Sequence, residues 1–218
     1  MVLRNRIILL LLLLPCVGLA PPPAQAEDWF GWRWYGATGP CDGKCSVMVF
    51  GGKFVETGMS DIFLGGDLWP FGWEYGDSTF LGAAASRTVA SLWQERVTIE
   101  PEIGFGKRFG AMDEYEAWAA VFLRYNYFPW NDYIYTTVAV STGLNYASGI
   151  SEIEKNRAGN GRGDRLLHYL APEITFALPQ DKSKELVFRF HHRSGGYGLV
   201  SDSDGGAQYL TVGLRFRF

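Results

Sequence analysis

The chain has 218 residues, 20 Lys and Arg against 23 Asp and Glu, and a formal charge of −3. That mild acidity excludes the basic footprint of a nucleic-acid-binding protein. An aromatic content of 16% and 27 glycines suit an all-β membrane barrel better than a soluble α/β enzyme.

The first element is a signal peptide. Arg4 and Arg6 form a basic start, Ile7 to Leu14 an apolar run, and Ala24-Gln25-Ala26 an A-x-A cleavage site. The apolar run is too short to span a bilayer as a helix, which needs ~20 apolar residues. Cys16 follows Leu14-Pro15, the wrong context for a lipoprotein signal, and would be lost with the leader. Residues 1–26 are thus read as leader and 27–218 as one domain. Removing Arg4 and Arg6 takes the formal charge from −3 to −5. Cys41 and Cys45 remain, and in an oxidising periplasm a local disulfide is expected. The lead-in over 27–45 carries Trp29, Phe30, Trp32, Trp34 and Tyr35. It suits either the membrane interface or a position packed on the barrel mouth.

Eight strands follow, over 46–56, 78–92, 95–108, 114–127, 133–146, 166–178, 185–194 and 207–218. Several alternate with the period of two that a half-apolar strand requires. Val97, Ile99, Ile103 and Phe105 oppose Thr98, Glu100, Glu102 and Gly104. Tyr115, Ala117, Ala119, Val121, Leu123 and Tyr125 oppose Glu116, Arg124 and Asn126. Leu210, Val212, Leu214, Phe216 and Phe218 oppose Thr211, Gly213, Arg215 and Arg217. A soluble sandwich alternates too. The leader and strand lengths at or above the ~9–11 residues a tilted strand needs favour an eight-stranded antiparallel transmembrane β-barrel, and the terminal Phe in phase with the apolar face resembles the ending of outer-membrane proteins of Gram-negative cells.

An even strand number puts both termini in the periplasm. Segments 128–132 and 179–184 are then short periplasmic turns, and 57–77, 147–164 and 195–206 longer outer loops, with 109–113 a short exception. The loop containing 156–164 is polar and Gly-rich, as an exposed loop should be. Eight strands leave little lumen, so the inward charges Glu100, Glu102, Glu116 and Glu173 are expected to pair with Arg124, Arg189, Arg215 and Arg217 rather than line a pore. Gly104-Phe105-Gly106 with Gly110 reads as small inward residues, not a phosphate loop.

The segment that offers chemistry is the seventh strand. Leu186, Phe188, Phe190, His192 and Ser194 share one parity, so if the apolar residues face lipid the His and Ser do as well. Polar groups on a lipid face are costly and therefore a functional hypothesis, whereas at the rim, near water and headgroups, a His costs little and a lone His-x-Ser is a weak signal. A nucleophilic Ser needs an adjacent base, and the base an orienting group. His192 and Ser194 stand ~6.5–7 Å apart along the strand, and a bulge near Gly195-Gly196 would bring them closer. Asp204, in phase with Leu210 and Val212, is the candidate acid, with Asp202 in reserve. The topology puts the pair at the outer rim, beside lipopolysaccharide.

The segment Phe188-Arg189-Phe190-His191-His192-Arg193-Ser194-Gly195-Gly196, with the ending Leu214-Arg215-Phe216-Arg217-Phe218, resembles the C-terminus of the lipid A 3-O-deacylase (PagL-like) family. The resemblance implies an eight-stranded outer-membrane barrel with a His-x-Ser pair on its exterior. Its partner would be lipid A in the outer leaflet, and it would hydrolyse an acyl ester without metal or cofactor. Carried over, Ser194 is the nucleophile, His192 the base and Asp204 the acid, with N–H groups near Gly195 and Gly196 for the oxyanion. The family places Asn after the Ser, where this chain has Gly195, and a Glu about twelve residues on, where it has Gly206. The alternatives are a non-catalytic small barrel with an envelope-structural or surface-binding role and, more distantly, a different lipid-modifying acyltransferase.

Overall fold

The computed structural model describes residues 31–159, 161–203 and 205–218. The leader, Trp29, Phe30 and Asp204 lie outside them. Eight strands, numbered here in chain order, form the wall. They are β1 (Cys45–Val55), β2 (Tyr75–Arg87, continued by Ala90–Leu92), β3 (Val97–Gly110), β4 (Tyr115–Tyr125), β5 (Tyr135–Ala147), β6 (Leu166–Leu170 and Glu173–Leu178), β7 (Asp181–Ser194) and β8 (Gly206–Arg217). Each pairs antiparallel with the next. β8 returns to β1, from Tyr209↔Phe54 to Arg217↔Ser46, and closes the barrel.

All eight expected strands form, with ends shifted by a few residues. The sixth is not continuous. Ala171 and Pro172 break it, and Pro has no N–H for the ladder. The strand is re-anchored by Ala171 N donating to Ser141 Oγ (2.9 Å) and Phe190 N donating to Pro172 O (2.9 Å). The turn after it is tighter than expected, because β7 already begins at Asp181.

The parity assignments hold across the wall. Val49, Leu81, Ile103, Leu123, Val140, Leu186 and Leu214 are exposed on the outside. Met48, Phe50, Phe80, Trp118 and Phe122 are buried inside. An apolar exterior around a filled interior is the inverse of a soluble fold and is the surface of a transmembrane barrel. β3 has 14 residues. At ~3.3 Å per residue and a tilt of ~40° it spans roughly 35 Å, enough for the bilayer core.

Ion pairs and rings fill most of the lumen, leaving a cleft of about 400 Å³ at one mouth, lined by Glu100, Glu185 and Arg217. Glu173 accepts from Arg124 Nη2 (2.7 Å), Arg189 Nε (2.8 Å) and Arg215 Nη2 (2.7 Å). Glu102 accepts two bonds from Arg189 (2.7 and 2.8 Å), and Glu100 one from Arg124 (2.9 Å). Arg217 pairs with Glu100 and Glu185. Toward the long-loop end, Glu116 takes Arg108 and His191, and the His191 ring stacks on Phe80 at 4.5 Å between centroids. Gly104 and Gly106 are the small inward residues expected. A Cβ on Gly104 would lie 2.1 Å from Trp118 Cζ2, and one on Gly106 2.3 Å from Phe80 Cζ.

The second long loop is not merely exposed. It carries a short helix, α2 (Glu152–Arg157), started by a Ser151/Glu154 capping box. Its buried Glu154 reaches Arg108 (3.0 Å) and Arg193 (3.6 Å) inside the barrel and closes that mouth. The opposite mouth meets the N-terminal lead-in. Arg33–Trp34 pairs with Ala90–Ser91, and Tyr35 Oη hydrogen-bonds Ser91 and Glu95. The described part of the lead-in thus meets the mouth, with Trp32 and Trp34 left exposed. Cys41 and Cys45 form the expected disulfide.

Candidate functional site

β7 presents Leu186, Phe188, His192 and Ser194 on the outer wall, while Arg189, His191 and Arg193 are buried in the lumen. The β7–β8 register runs unbroken to Ser194↔Gly206. The bulge that would have drawn His192 and Ser194 together is therefore absent, and the two keep the ordinary same-face spacing of a strand. Ser194 Oγ accepts from Gly196 N at 3.4 Å. Among the described residues no hydrogen bond joins Ser194 to His192. Catalytic contacts are often long before substrate binds.

The orienting partner of His192 is Gln208. The two are directly opposite in the ladder, and His192 Nδ1 lies 3.1 Å from Gln208 Oε1. Gln208 Nε2 in turn donates to Thr57 O. Asp202 is exposed on the last loop, and Asp204 lies outside the described residues. Gln208 shares the outward parity of Leu210, Val212 and Leu214 but is not the carboxylate expected there. A polar residue in that phase, at the height of His192, was the available signal.

A second histidine, which the sequence did not single out, stands close by. His168 lies directly across from Ser194, between Leu166 and Leu170 on the outward parity of β6. Its Nε2 is 2.9 Å from Thr142 Oγ1.

The first long loop folds back over this region. Its helix α1 (Met59–Phe63) buries Ile62, which joins Val55 and Phe190 in an apolar cluster on the outside of the wall, with Met59, Trp73 and Leu210 against it. Phe190 is only 4% exposed, so this outward residue meets protein rather than lipid. Phe63 and Trp73 both pack edge-on to its ring. Between α1, the wall and the last loop lies a cleft of about 620 Å³, with His168, Leu170, His192 and Ser194 on one side and Met59, Phe63 and Leu64 on the other. A second groove of about 330 Å³ shares Phe63 and runs along Pro172, Ile174, Phe188 and Leu210.

At the same rim Arg157 donates to Glu56 O (3.2 Å) and stacks over Phe54. Its burial there pushes its guanidinium below the ordinary value. Glu102 is held by Arg189 in the lumen, and Glu100, paired with Arg124 and Arg217, lines a separate cleft of about 400 Å³ at the mouth that meets the lead-in. Among the described residues no group of three or more His, Cys, Asp or Glu is arranged to hold a metal ion.

No protein-family model matches the chain, and no curated protein matches it. Among solved structures it is similar to a de novo designed transmembrane β-barrel, at 10% identity and a TM-score of 0.44, over 81% of this chain and 96% of that one. It is also similar to Neisserial surface protein A, at 11% identity and a TM-score of 0.49, over 81% and 97%. The barrel assignment rests on the strand pairing and surface polarity described above.

Proposed function

We propose that this chain is an outer-membrane ester hydrolase that removes an ester-linked acyl chain from lipid A, in line with the 3-O-deacylase resemblance of its C-terminal segment. One observation carries the reading. A Ser and a His stand on the lipid-facing wall at its long-loop end, inside an apolar cleft, where polar side chains are costly without a use.

Ser194 Oγ attacks the ester carbonyl as His192 Nε2 takes its proton. The tetrahedral intermediate collapses, and the sugar hydroxyl leaves with the proton returned by His192. Water, activated by the same nitrogen, then releases the fatty acid from Ser194. Gly196 N, already within reach of Ser194 Oγ, supplies a main-chain donor for the oxyanion. The acyl chain lies along the cleft walls formed by Leu170, Phe63 and Leu64.

The test is mass spectrometry of lipid A from Gram-negative cells expressing the chain or its Ser194→Ala variant. The wild type should remove one ester-linked acyl chain and the variant none. Unchanged acylation in both overturns the proposal. It would favour the second reading, a non-catalytic barrel acting through its loops, which the unformed Ser194–His192 hydrogen bond supports.

A further inference from the structure

The hydrogen bonds on the outer wall determine which nitrogen of His192 carries the proton. Thr57 contributes a main-chain carbonyl, which only accepts. The Gln208 amide must therefore turn Nε2 toward Thr57 O, because the reverse orientation would set two oxygens against each other. This fixes Oε1 on the His192 side, 3.1 Å from Nδ1. An amide oxygen also only accepts, so Nδ1 must be the protonated nitrogen. In the neutral ring Nε2 is then left with a free lone pair, as a general base toward Ser194 requires.

Thr57 is itself held in place. Its Oγ1 accepts from Glu74 N at 2.8 Å, and Glu56 N donates to Glu74 O at 2.8 Å. Both ends of the first long loop thus meet at the residue that orients Gln208. Gln208 is 4% exposed on a parity otherwise filled by Leu210, Val212, Leu214 and Phe216. A buried amide is tolerated where both its ends are bonded, and here both bonds serve one line from Thr57 to His192.

We infer that Gln208 is the positioning residue of His192, taking the place of a carboxylate and setting the imidazole tautomer through the first loop's main chain. This rests on the reading of Ser194 as nucleophile and His192 as base. It assigns no charge to the third member, so the base is aligned by hydrogen-bond geometry alone.

A spectroscopic test does not depend on activity. The chain holds three histidines, so two-bond 1H–15N correlation spectra of histidine-labelled protein refolded in micelles are tractable, and His192→Gln assigns the signal. Wild type should show Nδ1–H with a bare Nε2 at His192. Gln208→Leu and Gln208→Ala should lose that preference. Hydrolysis of a p-nitrophenyl acyl ester should fall at least about tenfold in the Leu and Ala variants. The shift of gel mobility on heating verifies that each variant folds.

An Nε2–H tautomer in wild type, or an unaltered tautomer in both Leu and Ala variants, overturns the inference whatever the rates are. If the tautomer responds as expected but Ser194→Ala hydrolyses as fast as wild type, the hydrolase reading falls, and Gln208's control of His192 stands.

Discussion

Glu173 is a charge shared by three partners in the lumen. Its two oxygens take Arg124, Arg189 and Arg215, all at 2.7–2.8 Å. Around it four acids, Glu100, Glu102, Glu173 and Glu185, face four arginines, Arg124, Arg189, Arg215 and Arg217, so this part of the lumen is neutral. Glu173→Gln leaves three acids against four arginines. Arginine does not shed its proton in a protein, so the excess charge stays buried. Removing one member of a buried ion pair costs about 3–5 kcal/mol. For a chain of this size that is a fall of roughly 6–20 °C in unfolding midpoint. The assay is urea and thermal unfolding of the micelle-refolded protein, followed by tryptophan fluorescence. A second substitution, Arg215→Met, restores the balance to three and three and should recover more than half of the loss. A Glu173→Gln cost below about 1 kcal/mol, the range of exposed pairs, would refute the reasoning by showing that water screens the lumen.

Two further perturbations test the packing. Gly104→Ala places a methyl where Trp118 already lies, 2.1 Å from Cζ2, and should destabilise the barrel by about 1–3 kcal/mol in the same unfolding assay. Phe190→Ala removes the ring on which Phe63 and Trp73 rest. Limited proteolysis should then cut the first long loop much faster while the heat-shifted gel mobility of the barrel is kept, and equal cutting rates would mean that the loop is held by other contacts.

The wall was legible because lipid and a filled lumen impose opposite polarity on alternate residues, which is why Val97 to Phe105 and Leu210 to Phe218 announce their faces. The inward charges were legible for the same reason, and so was the small size of the inward residues Gly104 and Gly106, though not the Trp118 and Phe80 rings that fill the space beside them. What escaped depends on partners far away in sequence. Phe190 reads as lipid-facing until α1 is seen to cover it. Glu154 reads as a loop residue until it is found among the lumen arginines. A carboxylate is the usual third member of a Ser–His site, which points to Asp204 or Asp202, and parity alone cannot tell which outward polar residue is level with His192. Only the register His192↔Gln208 does.

The closing seam has a consequence for biogenesis. β1 and β8 meet through pairs such as Phe54↔Tyr209, 155 positions apart, so the ring cannot shut until the last strand has been synthesised and delivered. Pairings this distant in sequence are slow to form. His192 stands on β7, Gln208 on β8, and Thr57 just beyond β1, so their hydrogen-bond line crosses the seam. A precursor with every hairpin formed but the ring still open would lack Thr57 at Gln208, and its imidazole would be free to take either tautomer. The line to the proposed base is thus completed by the same event that finishes the barrel.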